Sequence, residues 1–226
     1  MASISVAGDS SGSITIAAPA VAGSGVLTLP VATDTLAGIA ATQTLTNKTL
    51  VAPALGTPAS GVLTNCTGVV AAALPAGSVL QVVNSQSGAV ATTTTIIPFD
   101  DTIPQITEGG QFLSLAITPK SATSKLLIHF MLNLAHSASG PRLTAALFQD
   151  SIANAIAAGT IRTTDINTVV QPTSTYFMTS GTTSSTTFTV RGGCDGAGTT
   201  TLNGTVGARV YGGVLYSSIT ITEIAA

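Results

Sequence analysis

Between residues 124 and 134 every second side chain is a large hydrocarbon: Leu126, Ile128, Phe130, Leu132 and Leu134. Lys125, Leu127, His129, Met131 and Asn133 fill the places between them. A period of two puts the first set on one face of a β-strand and the second on the other, whereas a helix would scatter both sets around its axis. Such a strand is stable only when a second layer covers its apolar face. Residues 111–118 repeat the pattern with Leu113, Leu115 and Ile117. Further strands are expected at 143–149, 174–179, 186–191, 208–210 and 213–224. The turn-forming runs Ser139-Gly140-Pro141, Gly192 to Gly196 and Asn203-Gly204 separate some of them. The only helical signal is a turn near 152–158. Six to nine short strands in about 150 residues predict an all-β fold, a jelly-roll-like β-sandwich over residues 79–226.

Residues 1–78 differ. They contain no Phe, Tyr or Trp, and their charged side chains are Asp9, Asp34 and Lys48. Without aromatics the segment cannot fill a globular core alone. Short alternating pieces such as Ser13-Ile14-Thr15-Ile16 and Gly25-Val26-Leu27-Thr28-Leu29-Pro30 predict short strands broken by Gly and Pro turns. A loose repeat, Leu45-Thr46-Asn47-Lys48-Thr49 and Leu63-Thr64-Asn65-Cys66-Thr67, points to units that bury their apolar sides only against neighbours. The expected organisation is an attachment and shaft region, 1–78, followed by the sandwich domain.

Charged residues are 7% of the chain, against roughly a quarter in an ordinary soluble domain. A surface with so little charge, at net −2, favours self-association, and much of it is expected to be buried between identical subunits. The seven basic residues are scattered, which excludes the clustered cationic footprint of a nucleic-acid partner. No apolar run is long enough for a membrane-spanning helix, and the N-terminus lacks a signal-peptide pattern, so synthesis and retention in a cytoplasm are expected. In that compartment Cys66 and Cys194 are read as unpaired thiols, and the sequons at Asn47, Asn65 and Asn203 as turn asparagines.

Two passages resemble known sequences. Thr42-Gln43-Thr44-Leu45-Thr46-Asn47-Lys48-Thr49-Leu50, followed by Leu55-Gly56-Thr57-Pro58-Ala59-Ser60-Gly61, is similar to the shaft segment of tail fibre proteins of tailed bacteriophages. Residues 79–226 resemble a C-terminal domain of phage fibre and virion proteins. The landmarks are Ile97 to Gln105, Glu108-Gly109, Ser124 to Ile128, Ala146 to Asp150 and Ser217 to Ile224. The resemblance implies a virion structural protein, made in the bacterial host's cytoplasm, whose C-terminal domain trimerises at the particle surface. Other virion proteins would bind 1–78, and a host-surface glycan or protein would be the target of a tail-mounted copy. A capsid decoration or head-fibre protein is the alternative, suggested by the short shaft. The resemblance brings no catalytic residues.

His129 and His136, seven apart, would face opposite sides of a single strand, so they cannot share an ion within one subunit. Asp100, Asp101 and Glu108 do not match a calcium loop and read as solvated loop acids. Arg191 and Asp195 read as turn residues or part of a binding tip. Tyr176, Phe177, Tyr211 and Tyr216 read mainly as core or interface aromatics. No Gly-x-Ser-x-Gly elbow has a plausible His partner, no phosphate-loop lysine follows the Gly-rich 192–198 run, and no His-Glu-x-x-His motif is present. A host-glycan depolymerase would need a carboxylate pair that so few acids could supply only across subunits. The expectation is a non-enzyme with no cofactor and no metal. Its trimer interface is expected on the second face of the 124–134 strand, through Leu127, His129 and Met131. Nothing in the spacing names a ligand.

Overall fold

The computed structural model describes residues 3–7, 13–17 and 74–226. The chain divides into two compact units, Met1–Gly61 and Val62–Ala226. In the first, β1 (Ser3–Ala7) and β2 (Ser13–Ala17) pair antiparallel, with Ser3 opposite Ala17. The alternation at 13–16 is thus strand. The 25–30 piece, the repeats at 45–49 and 63–67, the 42–61 passage, Asn47, Asn65 and Cys66 lie outside the described residues.

The second unit is all-β. One four-stranded antiparallel sheet holds β3 (Val79–Ser87), β6 (Lys125–Met131), β10 (Thr173–Thr179) and β15 (Ser217–Ile224), in the spatial order β10-β6-β15-β3. The other holds β5 (Gly110–Ile117), β8 (Arg142–Gln149), β9 (Ala157–Arg162) and β11 (Thr186–Cys194), in the order β5-β11-β8-β9. Counted along the chain, the first sheet takes the first, third, sixth and eighth of these strands and the second takes the rest. With that order of neighbours, the sandwich is a jelly roll.

The two sheets face each other across one apolar cluster. Leu126, Ile128 and Phe130 of β6 and Ile219 and Ile221 of β15 meet Leu113 and Ile117 of β5, Leu143 and Leu147 of β8, and Phe188 and Val190 of β11. The alternation at 124–134 therefore marks the core: Leu126, Ile128, Phe130, Leu132 and Leu134 are all fully buried. Each such side chain contributes about 1.5–3 kcal/mol on burial, which offsets the backbone entropy lost on ordering the strands.

One end of the sandwich carries a three-stranded sheet, β4 (Ala91–Thr93), β12 (Thr200–Leu202) and β7 (Leu134–His136), with β12 in the middle. Beyond it β13 (Gly204–Thr205) pairs with β14 (Ala208–Arg209). Among the described residues no helix is long and apolar enough to cross a membrane.

Three expectations need correction. The 124–134 strand breaks after Met131, because Asn133 turns inward, where its side chain donates to the Tyr216 carbonyl and accepts from Gln171. Asn133 is buried and does not share the outer face of Leu127 and His129. The 152–158 stretch is not helical: Ile156 N–H bonds to the Leu147 carbonyl and leads into β9. The last strand starts at Ser217 rather than 213, since Tyr211–Gly213 forms a 3-10 turn with Gly212 and Gly213 at positive φ.

Candidate functional site

The outer faces of the two sheets are unlike. On β8, Leu143, Ala145 and Leu147 point into the central cluster, yet Ala146 and Phe148 on the opposite side are also fully buried. The outer face of the second sheet is therefore covered. Much of the cover is the 16-residue connection 94–109 between β4 and β5, which has no strand or helix of its own. Ile97 lies over the sheet at Gly193, where an added Cβ would stand 2.9 Å from Cγ1 of Ile97.

This connection is fastened along its length. Ile97 N–H donates to the Cys194 carbonyl, Gly109 N–H to Ile96, Ile106 N–H to Ala153, and Ala155 N–H to Pro104. Arg191 holds the near end, with Nε donating to the Glu108 carbonyl at 2.7 Å and an η nitrogen to Gly109 at 2.8 Å. Glu108 accepts from Gln105 N–H, and Asp100 accepts from the backbone and hydroxyl of Thr102. The three acids thus split. Asp100 and Glu108 clamp local turns, while Asp101 is exposed beside them. Arg191 belongs to this clamp rather than to a binding tip. Asp195 accepts from Arg142 N–H at 2.8 Å and pairs with its guanidinium at 3.7 Å.

The outer face of the first sheet has no such roof among the described residues. Its ladders place side chains in rows across the strands. Phe177, Leu127, Thr222 and Val82 form one row, from β10 through β6 and β15 to β3. Thr175, His129, Thr220 and Asn84 form the next, and Thr173, Met131, Ser218 and Gln86 the one after. Phe177 is 56% exposed and Val82 57%; His129 is exposed, and Leu127 and Met131 are half-buried. The one full charge near these rows is Lys125, whose Nζ donates to Thr179 Oγ1 across the β6–β10 ladder. The structure therefore gathers Leu127, His129 and Met131 on one solvent-facing surface and adds Phe177 and Val82 to it. The alternation of 79–87 could have disclosed Val82, but nothing local says that β3 lies two strands from β6.

The aromatics divide as well. Tyr176 packs against the core, whereas Phe177 and Tyr216 are exposed and Tyr211 is 78% exposed, so the core reading fails for those three. Tyr211, Val206 and Val214 project from the 206–216 loop at the end of the sandwich, and Val206 and Tyr211 hold positive φ. That backbone is costly for a β-branched residue such as valine.

His136 is far from His129 in environment. It is buried on β7, its Nδ1 accepts from Ala138 N–H, and its Nε2 has no partner among the described residues. Burial holds its pKa below the ordinary imidazole value, partly opposed by the Ala138 bond and by Asp195. Cys194 is a free, buried thiol, and burial pushes its pKa up, the opposite of an activated nucleophile. Asn203 has the positive φ of a turn asparagine but is fully buried. Its amide donates to the Ser87 and Ala89 carbonyls and accepts from Ser217 Oγ. Among the described residues no three His, Cys, Asp or Glu side chains gather as metal ligands.

No protein-family model and no curated protein matches this chain. Solved structures give distant likenesses. The Eiger TNF of S. frugiperda is 8% identical over 64% of this chain and 93% of that one, with a TM-score of 0.38. The infectious bursal disease virus VP2 subviral particle is 13% identical over 66% of this chain and 39% of that one, at 0.30. The enzymatically active domain of bacteriophage CBA120 tailspike protein 4 is 15% identical over 54% of this chain and 18% of that one, at 0.24. Scores this low carry no functional conclusion.

Proposed function

We propose that this chain is a non-enzymatic structural protein of a bacteriophage particle. Three copies assemble, residues 1–78 attach them to other virion proteins, and residues 79–226 are presented at the particle surface for host recognition. The observation that carries the reading is the bare row Phe177–Leu127–Thr222–Val82 on a sheet whose counterpart is roofed. Large apolar side chains aligned on an open sheet face mark a surface that another protein covers. On a face that lies along a threefold axis each charge sits close to its own copies, so such a face favours little charge. These three rows carry no Asp, Glu, Lys or Arg, with Lys125 beyond them. Full burial of Phe177 and Val82 would contribute about 1.5–3 kcal/mol each. The resemblance of 42–61 and 79–226 to phage fibre proteins supplies the setting.

Light scattering after size exclusion tests the assembly: a trimer at micromolar concentration is expected, and a monomer or dimer refutes it. The number of copies in purified particles tests the location. A few trimers place the protein on the tail, while tens to hundreds place it on the capsid as a decoration or head fibre.

A further inference from the structure

Where the fastened 94–109 connection crosses the outer face of the second sheet, it leaves an open cleft of about 160 Å³. Drug-sized ligands occupy pockets of roughly 300–1,000 Å³, and a water takes about 30 Å³. The space thus suits one small ring with its substituents. We propose that this cleft binds a single neutral sugar residue of a surface glycan, which deepens the host-recognition reading and rests on it.

The walls supply both halves of sugar recognition. Phe99 is 56% exposed, and Arg142 lies over one face of its ring, 3.9 Å from the centroid. With Arg142 itself paired to Asp195, the ring is held in place and can offer its remaining surface to the apolar C–H face of a pyranose. Pro104 adds a second apolar wall. The same lining includes hydrogen-bond acceptors. Both bonds from Thr102 go to Oδ1 of Asp100, so Oδ2 keeps its lone pairs among the described residues. Those same bonds hold the Asp100 carboxyl below its usual pKa, so it is ionised at neutral pH. Thr144 Oγ1 donates to Thr160 Oγ1, which donates to the Leu143 carbonyl. The Thr144 oxygen is left as an acceptor for a ligand hydroxyl.

The charges select the class of ligand. A carboxylate at the mouth repels acidic sugars and phosphates, and the Arg142 guanidinium over the Phe99 ring repels cations. An uncharged polyol that donates to Asp100 and Thr144 satisfies both. Pre-organisation favours binding as well. The connection is tied to β11 near both ends, through Ile97 and through Glu108 and Gly109, and to residues 153–155 between them, so little ordering entropy is lost when the ligand enters. Ordered connections of this length are uncommon and often functional. The cleft lies on the second sheet, opposite in the sandwich to the bare face of the first, so trimerisation through that face leaves it open.

The test uses the full chain and neutral methyl glycosides of glucose, galactose, mannose and N-acetylglucosamine, observed by saturation-transfer NMR. At least one should bind in the millimolar range. Phe99→Ala and Asp100→Asn should each weaken it about tenfold or more with unchanged melting, since a hydrogen bond to a charged acceptor is commonly worth that much. Absence of binding for all four at tens of millimolar overturns the proposal, and so does binding that both variants retain. Labelled protein on host cells separates the two readings. If wild type and variants adhere equally, the cleft falls while host recognition stands. If glycoside binding is lost in the variants but the protein is absent from purified particles, the cleft stands and the virion role falls.

Discussion

Phe177 stands directly opposite Leu127 across the β10–β6 ladder, and both side chains point away from the core that Ile128 and Phe130 fill from the same strand. One strand thus serves two surfaces, and single substitutions on it should have two distinct outcomes. Leu127→Asp or Met131→Asp should dissociate the trimer while each subunit keeps its fold, because three buried like charges would each need several kcal/mol of desolvation. Phe130→Asp should unfold the subunit. Light scattering combined with circular dichroism distinguishes them; a stable Met131→Asp trimer with unchanged melting would place the interface elsewhere.

Glu223 is fully buried on β15 and forms no salt bridge among the described residues. Its carboxylate accepts from Ser124 Oγ at 2.6 Å, Gln81 Nε2 at 2.6 Å, and the N–H groups of Lys120 and Ser121. Burial pushes its pKa up, but these bonds outweigh burial and hold it below the ordinary value. Because the folded state has the lower pKa, the stabilisation is complete above the unfolded value of about 4.3 and is lost as pH falls through the folded one. Urea midpoints should drop below pH 4.5 in wild type and less steeply in Glu223→Gln, which should cost about 1–3 kcal/mol at pH 7. Equal slopes in the two proteins would assign the acid sensitivity to another group.

His136 should act at higher pH. As Nδ1 accepts a backbone hydrogen bond and Nε2 is buried, the folded state takes the neutral imidazole. Its lowered pKa means that stability is complete above about 6.5 and declines as pH falls below that, since the unfolded state then binds the proton more tightly. His136→Gln should flatten the stability profile between about pH 6.5 and 5 relative to wild type. A profile in that window that the substitution leaves unchanged would clear His136 of the effect.

Asn203 ties the end of β3 to the start of β15 through Ser87, Ala89 and Ser217. Asn203→Ala would take the amide donor from two carbonyls, leave the Ser217 hydroxyl only its bond from Asn133 N–H, and put alanine at positive φ. A loss of roughly 2–4 kcal/mol is expected in denaturant titrations, and a loss under 1 kcal/mol would show that water replaces the amide.

The sandwich domain should fold and trimerise without the N-terminal region, whereas 1–78 alone should not. Residues 77 and 78 exchange backbone bonds with Ala225, so a fragment starting at 74 keeps a pairing that one starting at 79 loses. Melting of the two fragments compared with the full chain measures that contribution, and failure of the 74–226 fragment to fold would show that the N-terminal region is needed.

What the sequence determined by itself is the local pattern. Alternation is a property of neighbouring residues, so 111–118, 143–149, 174–179 and 186–191 were legible as strands, and the buried face of β6 was legible side chain by side chain. What tertiary structure decided is pairing and exposure. β3 was not recognised as a strand, and its partner β15 lies about 130 residues away, where no local signal reaches. Phe177, Tyr211 and Tyr216 have the composition of a core, yet Phe177 lies on an outer sheet face that nothing covers among the described residues, and Tyr211 and Tyr216 lie in the end loop. Glu223 looks like a surface acid and becomes a buried anchor only when β15 brings it against the 120–124 turn. Hydrophobic periodicity is written residue by residue, whereas a sheet's hydrogen bonds join segments whose separation in sequence is arbitrary. The first can be read along a chain, and the second exists only once the chain has folded.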